Sequence, residues 1–457
     1  MIFLTTECDV LVVGGGPAGV ISAYTAAKLG KYVILTDAKS MDQIGNKTCG
    51  DAIDLRAPTL IKDKLGLELP HGDEISDIIE RLVIQTENQE VDVFGDGFVV
   101  DRHIYGKRLL NQAISVGTEV RPHMNAKKSL VDGDWVVGAE FKNKENNKTE
   151  QIKAKVTIDC SGRNFVIRKT LPHEKFPLLE LEMKPDEICA SYREIIKLKE
   201  EDHNYHKAIY LIYNNLVPEP GYYWIFSKGP YELNLGIGWK LSNPNKGANM
   251  RNIYNKVTHK FFKPEDYEIL QAGGYTIPTR YPLFNAVTNG FLTAGDAAFH
   301  VDPFTAEGHG PALMAGYYAG KQAVEAIENG KPSTEALWEY NKNCMEAFGT
   351  LHCKTQLFEE TLAAVKMKGL DYVLRRKVLT VEDFSRINSG EGISTSSLLW
   401  KVMRASPRYL LMLKFRKLAK GTKKVEELMK QFPTTSAGYN AWHSKFVPWF
   451  TSYMKSF

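Results

Sequence analysis

Cys8-Asp9-Val10-Leu11-Val12-Val13-Gly14-Gly15-Gly16-Pro17-Ala18-Gly19 decides the fold. An apolar, β-branched run leads into G-x-G-x-x-G. A helix-compatible stretch follows through Leu29 to Gly30, and a second apolar run, Tyr32 to Leu35, reaches Asp37. Strand, phosphate loop, helix, strand and acid in that order predict a βαβ dinucleotide unit. Gly14 allows the tight turn, Gly16 lets the backbone approach a pyrophosphate, and Gly19 lets helix and strand pack closely. The helix N-terminus, which opens with Pro17 and Ala18, offers unpaired N–H groups to phosphate. Asp37, 23 residues after Gly14, is placed to accept hydrogen bonds from an adenosine ribose.

Around this unit the chain is 457 residues long, too long for one simple core, so two or three subdomains are expected. Hydrophobic content of 43% and charged content of 25% describe an ordinary globular protein. No apolar run approaches the roughly 20 residues that span a bilayer, so no transmembrane helix is expected. The first strand begins almost at once and leaves no room for a signal peptide, which makes a cytoplasmic location the expectation. Six cysteines are scattered without C-x-x-C spacing, so no metal site is expected. Cys344 and Cys353 stand nine apart in a helical stretch, and a disulfide between them is left open. A net charge of +4 is too small to argue for nucleic acid.

Farther along, Arg81 to Gln85 and Val91 to Phe94 alternate as an antiparallel strand pair would. Asp101 to Val116 reads as a helix, and Glu119 to Val156 as a strand followed by hairpins. Lys207 to Tyr213, Tyr222 to Phe226 and Glu232 to Trp239 read as strands of a second sheet. Phe291 to Asp296 is a strand ending in an acid, and Pro303 to Gly316 carries a helix start. From Pro332 onward helical spacing prevails, broken near Asn388-Ser389-Gly390 and at Pro407.

Three segments resemble the flavin-binding signatures of the p-hydroxybenzoate hydroxylase-like flavoproteins. Asp101-Arg102-His103-Ile104-Tyr105-Gly106-Lys107-Arg108-Leu109 is similar to their D-R-x-x-F-D-x-x-L helix, whose arginine approaches FAD. Gly295-Asp296 within Gly290 to Ala298 resembles their G-D motif, where the aspartate accepts from the ribityl hydroxyls. Thr157-Ile158-Asp159-Cys160-Ser161-Gly162 looks like the strand that ends D-A-[ST]-G. The resemblance narrows with Lys47-Thr48-Cys49-Gly50-Asp51 and with Pro220 to Ser227 continuing to Gly236-Ile237-Gly238-Trp239. These are similar to the cysteine–glycine motif and the Y-x-W-x-F-P…G-x-G substrate motif of archaeal geranylgeranyl reductases. Ser227 stands where that motif has proline, and Ala306 replaces the first glycine of G-E-G. Matching motifs run from about residue 9 to residue 320.

The resemblance implies an α/β protein: a Rossmann-like FAD-binding domain, a mostly antiparallel substrate-domain sheet and a helical C-terminal region. The expected FAD-binding parts are 1–75, 101–175 and 276–330, with substrate-domain strands at 76–100, the substrate sheet at 176–275 and helices over 331–457. FAD is the implied cofactor, bordered by Gly14, Gly16, Pro17, Ala18, Gly19, Asp37, Ala38, Cys49, Gly50, Asp51, Arg102, Ala126, Asp296, Gly308 and Gly310. The helix after Asp296 is expected to point its positive end at the flavin. Cys49 is the candidate catalytic residue, beside the flavin on the substrate side. Tyr222, Trp224 and Phe226 alternate, share one strand face and are expected to line an apolar tunnel. Arg375 and Arg376 are candidates for a substrate phosphate, while His300 and His309 are assigned only local hydrogen bonding.

The implied reaction is saturation of isolated C=C bonds in geranylgeranyl chains of membrane lipids, with a hydride from reduced FAD and a proton from the enzyme. No second dinucleotide loop is found, so the electron donor, a ferredoxin or a nicotinamide cofactor, is left unidentified. Fold does not fix function. An FAD monooxygenase or quinone-linked flavin dehydrogenase on the same scaffold remains an alternative, as does a non-catalytic prenyl carrier. Between Leu398 and Lys430 ten Lys/Arg face only Glu426 and Glu427. With Tyr409 to Phe415 interleaved, this pattern suits a peripheral element on the inner face of an anionic membrane.

Overall fold

The computed structural model describes residues 4–241, 247–388, 404 and 407–457. It has the expected α/β class, built on two eight-stranded sheets with helices packed around the first. Through the first third run β1 (Leu4–Val13), α1 (Pro17–Lys28), β2 (Val33–Thr36), β3 (Ala52–Asp54), α2 (Arg56–Leu65), β4 (Ile75–Gln85), β5 (Glu90–Val100) and α3 (Arg102–Ser115). There follow β6 (Glu119–Arg121), β7 (Met124–Asp132), β8 (Trp135–Asn143), β9 (Thr149–Asp159), β10 (Ile188–Leu198), β11 (Ala208–Ile212), β12 (Gly221–Ser227) and β13 (Glu232–Lys240). Next come α4 (Met250–Thr258), β14 (Tyr267–Pro278), β15 (Val287–Thr288), β16 (Phe291–Thr293) and α5 (His309–Glu328). The elements described after it are all helices: α6 (Thr334–Leu337), α7 (Glu339–Cys344), α8 (Thr350–Arg375), α9 (Val381–Asn388), α10 (Tyr409–Met429) and α11 (Tyr439–Met454).

The first sheet runs β15-β16-β9-β1-β2-β6, with the β7–β8 hairpin attached through β9. Its centre is parallel: β1 pairs with β2 through Val10 and Val33, and with β9 through Val13 and Asp159. Strands buried on both faces need continuous apolar runs, and Val10 to Val13 and Val33 to Leu35 supply them. On one face α1 packs against α5, and on the other a smaller core holds Leu11, Phe141, Ile152, Ile167 and Phe291. Loops at the strand carboxyl ends, after β1 and β16, therefore open at one edge of the sheet, where ligands of such folds bind.

The second sheet runs β14-β10-β13-β12-β11-β4-β5-β3. All its pairings are antiparallel except β11 with β4, where Tyr210 lies opposite Val83. Its two portions come from distant stretches of chain, and this parallel seam joins them. One face carries Tyr223, Ile225, Leu235 and Ile237 into a core with Tyr254 and Val257. The other face looks toward the first sheet. The C-terminal helices join the nucleotide-side core, with Trp442, Phe446 and Phe450 meeting Phe284 and Tyr281 edge to face. Cys344 and Cys353, for which a disulfide was left open, are free and buried.

Two expectations change. The helix read from Pro303 starts at His309 instead, because Ala306 holds φ +59° and residues 302–308 form a loop. In that loop Asp302 accepts from the Phe304 and Thr305 N–H groups. The break expected near Asn388-Ser389-Gly390 runs into residues outside those described.

Candidate active site

The phosphate loop explains its own glycines. Gly14 has φ +108°, and a Cβ there would lie 2.2 Å from the Cys160 carbonyl oxygen. A Cβ on Gly19 would lie 1.8 Å from the Gly14 carbonyl oxygen, so neither position tolerates a side chain. Gly16 is different: it is the N-cap of α1, with φ −75°, and a Cβ there meets nothing within 4 Å. The space above the helix start is open, and no side chain caps its N–H groups, although Pro17 begins the helix and Ala18 is buried behind it. Uncapped donors beside open space suit a pyrophosphate. Asp37 follows β2 and accepts from Gly15 N–H at 2.7 Å and from Lys39 N–H at 2.8 Å. Its carboxylate stays partly exposed, as a ribose partner requires. Ala38 follows it, and β7, which carries Ala126, starts at the same corner, where Met124 N–H donates to the Asp37 carbonyl at 2.7 Å.

A second focus forms where α5 begins. Its N-cap Gly308 provides no side-chain cap, while the Glu307 carboxylate accepts from Gly310 N–H at 2.7 Å. Burial first, and then the Asp54 charge, push the Glu307 carboxyl up to about 7. Cations converge here. Arg102, the first residue of α3, is buried and its Nη1 contacts His309 Nδ1. Asp101 caps that helix by accepting from the His103 and Ile104 N–H groups. Lys47 Nζ reaches Asp296 Oδ2 at 2.8 Å. Burial, reinforced by the charges of Arg102 and Lys47, holds His309 far below its ordinary pKa, so its ring is neutral. His309 Nε2 is buried without a partner among the described residues. Helix donors, an orphaned imidazole nitrogen and two cations fit the polar edge of a flavin.

Between these foci and the second sheet runs the segment Lys47 to Asp51. Asn234 on β13 fixes it, its amide donating to the Cys49 carbonyl at 2.8 Å and to Asp51 Oδ2 at 3.0 Å. Gly50 lies under the Phe226 ring, which a Cβ would approach to 2.7 Å. Cys49 itself is partly exposed. Asp51 turns into the second sheet, where Lys228 Nζ lies 3.5 Å away. Burial raises its pKa against the opposing pull of Lys228, Arg193 and Arg102.

Tyr222, Trp224 and Phe226 share the face of β12 that looks at this segment, with successive ring centroids 6.2 Å apart. The Trp224 ring covers Gly236, where a Cβ would sit 2.0 Å from it, and its Nε1 donates to Asn234. The Tyr222 hydroxyl donates to the Thr305 carbonyl at 3.0 Å, tying the aromatic face to the loop before α5. Arg375 and Arg376 lie elsewhere. Both are exposed at the end of α8, where Arg375 stacks on Tyr372 and Arg376 Nε donates to the Arg404 carbonyl. No hydrogen bond, ion pair or ring contact among the described residues joins either to the Cys49 segment. Sequence reasoning gave no role to Lys47 or Asn234. The second had a readable signal, a lone amide between Leu233 and Leu235 on the face of the glycines Gly236 and Gly238.

The profile of the FAD dependent oxidoreductase family matches residues 9–169, and that of the geranylgeranyl reductase catalytic domain matches residues 187–276. The chain is 28% identical to a digeranylgeranylglycerophospholipid reductase of Sulfolobus acidocaldarius, over 98% of both chains. It is 30% identical to digeranylgeranylglycerophospholipid reductase 2 of Methanopyrus kandleri, over 85% of this chain and 94% of that one. Among solved structures, a geranylgeranyl bacteriochlorophyll reductase-like protein of Thermoplasma acidophilum superposes with a TM-score of 0.73 at 22% identity. That match covers 91% of this chain and all of the other. A flavin-dependent brominase, Bmp2, shares the fold with a TM-score of 0.63 at 16% identity, over 93% of this chain and 99% of that one. With its two profiles, its phosphate loop and its full-length relatives in agreement, the chain belongs to the digeranylgeranylglycerophospholipid reductase family of FAD-dependent oxidoreductases.

Proposed function

We propose that this protein saturates isolated C=C bonds in the geranylgeranyl chains of archaeal-type membrane lipids or their precursors. The observation that carries the reading is the facing of the Cys49 segment by the Tyr222, Trp224 and Phe226 face, one hydrogen bond from the loop before α5. Gly14, Gly16, Gly19 and the start of α1 hold the pyrophosphate of FAD, and Asp37 holds its ribose. Asp296, Arg102 and the start of α5 hold its flavin end. When bound, reduced FAD supplies a hydride.

The chain's own groups do the rest. An isolated trisubstituted alkene is a poor electrophile, so the proton must arrive early or together with the hydride. That calls for a dry, close-fitting site. Tyr222, Trp224 and Phe226 exclude water and offer π-faces to developing positive charge. Burial keeps the Tyr222 phenol protonated well above its ordinary range. Cys49 is our candidate proton donor, at Sγ, with Asn234 steadying its backbone. Asp51 supports that segment from the sheet side. Electrons come from an external carrier, a ferredoxin or a nicotinamide cofactor.

Two-chain lipids need a route from the bilayer, and α10 supports one. Leu410 and Leu413 are 76% and 59% exposed on a helix that also carries Lys414, Arg416, Lys417 and Lys420. No helix among the described residues is long and apolar enough to cross a membrane. Dithionite-reduced protein incubated anaerobically with digeranylgeranyl lipid tests the function. Products gaining two mass units per step support it. Unchanged mass with bound flavin verified overturns it.

A further inference from the structure

The sequence assigns Lys47 no role of its own, yet its surroundings are specific. It stands two residues before Cys49, and its Nζ meets Asp296 Oδ2 at 2.8 Å. It also lies over the Tyr275 ring, 4.9 Å from the centroid. Its side chain is 29% exposed and that of Asp296 is 8% exposed, so the carboxylate is shielded from solvent and the ammonium partly so. Burial opposes its charge, but Asp296, Tyr275 and Cys49 outweigh burial and hold the ammonium above its ordinary range. The same ammonium acts on His309, the first residue of α5. Among the described residues, the charged groups near it are Asp296, the Lys39 ammonium, Arg102 through His309, and Arg163 on the far side of Tyr275.

We propose that Lys47 is a positioning residue that neutralises Asp296 and thereby sets the net charge at the flavin end of the site. The inference rests on the FAD reading above. Asp296 is the acceptor offered to the cofactor's ribityl chain, yet a bare carboxylate there repels the negative charge that a reduced flavin carries. Lys47 cancels that repulsion without occupying the helix donors of α5. As a consequence the Cys49 segment is pinned to the cofactor side whenever the pair is made. The charge count gives opposite signs for the two partners: removing the lysine leaves the pair at −1, and removing the carboxylate leaves it at +1.

The test uses FAD-loaded protein and two readouts besides turnover: sulfite affinity at the flavin, which needs nearby positive charge, and the two-electron midpoint potential. Lys47→Met weakens sulfite binding about tenfold and lowers the potential by about 30 mV. Lys47→Arg keeps both values. Asp296→Asn, which retains an acceptor oxygen, strengthens sulfite binding and raises the potential. The double variant Lys47→Met with Asp296→Asn returns to within about threefold of the unaltered protein, because its pair is neutral again. Variants with weakened cofactor retention are measured at saturating FAD. Unchanged sulfite affinity in Lys47→Met, or a double variant as weak as Lys47→Met alone, overturns the proposal. An unaltered protein that takes up no FAD overturns the functional reading instead.

Discussion

Replacing Gly16 by alanine separates cofactor binding from folding. The φ of −75° and ψ of −179° at Gly16 are open to any L-residue, and a methyl group there meets no protein atom within 4 Å. The apoprotein of Gly16→Ala should therefore be as stable as the unaltered one, or gain about 0.4–1 kcal/mol from a stiffer unfolded chain. The same methyl group projects into the space that the α1 N–H groups face. Displacing a pyrophosphate from charge-assisted hydrogen bonds costs about 1.5–3 kcal/mol per bond, so FAD affinity falls about 10- to 100-fold for each one lost. Gly19→Ala gives the contrast. Its Cβ would stand 1.8 Å from the Gly14 carbonyl oxygen and 3.3 Å from Cys160 Cβ, so the fold itself must shift. Overpacking of this kind costs about 1–3 kcal/mol or more. FAD titration by flavin fluorescence, beside thermal unfolding of both apoproteins, reads the two effects. Unaltered FAD affinity in Gly16→Ala, or a loss of stability matching that of Gly19→Ala, refutes the reasoning.

Glu307 makes stability depend on pH. Burial and the Asp54 charge raise its pKa from 4.5 to about 7, so the folded state keeps a proton that the unfolded chain releases between those values. Its stabilising contribution is full below pH 4.5 and is lost as pH rises through about 7, on the order of 3 kcal/mol in all. Urea midpoints for the apoprotein and Glu307→Gln should therefore converge at low pH and separate above pH 7, with the variant the more stable; a difference independent of pH refutes this. Trp224→Ala opens a cavity over Gly236 and strands the Asn234 carbonyl oxygen, costing about 3–5 kcal/mol in denaturant titration. If Asn234 steadies Cys49, the same variant also changes the rate of Cys49 alkylation. Leu410→Asp with Leu413→Asp leaves the melting temperature within a degree or two, since both side chains are exposed, but reduces co-sedimentation with anionic vesicles several-fold. Equal sedimentation removes α10 from the membrane route.

The dinucleotide unit was legible because its signals are local: β-branched runs, three glycines at fixed offsets and an acid after the second strand. The second sheet was legible as strands but not as an order. Alternation at Arg81–Gln85 and Tyr222–Phe226 shows which residues share a face, yet nothing local announces that β11 pairs in parallel with β4. The start of α5 was misplaced for a related reason, since small residues after Pro303 are helix-compatible and only the surrounding packing sets Ala306 at φ +59°. Lys47 and Asp296 are 249 positions apart, so the sequence shows both residues and hides the pair. The cluster Arg375-Arg376-Lys377 reads as a phosphate grip by charge alone; its folded surroundings are the exposed end of α8 and the carbonyl of Arg404.

The stretch from Lys47 to Asp54 starts beside the first sheet and finishes as a strand of the second. Lys47 is moored to Asp296 beside β16, whereas Ala52 to Asp54 are stitched to β5 as the outermost strand of the second sheet. Cys49 thus rides on a connection whose two anchorages belong to different layers. Because Asn234 also grips the Cys49 carbonyl, the thiol is held from the second sheet while the start of its segment is held beside the first, and a single residue inserted between Lys47 and Cys49 is expected to uncouple the two holds while leaving both sheets' pairings untouched.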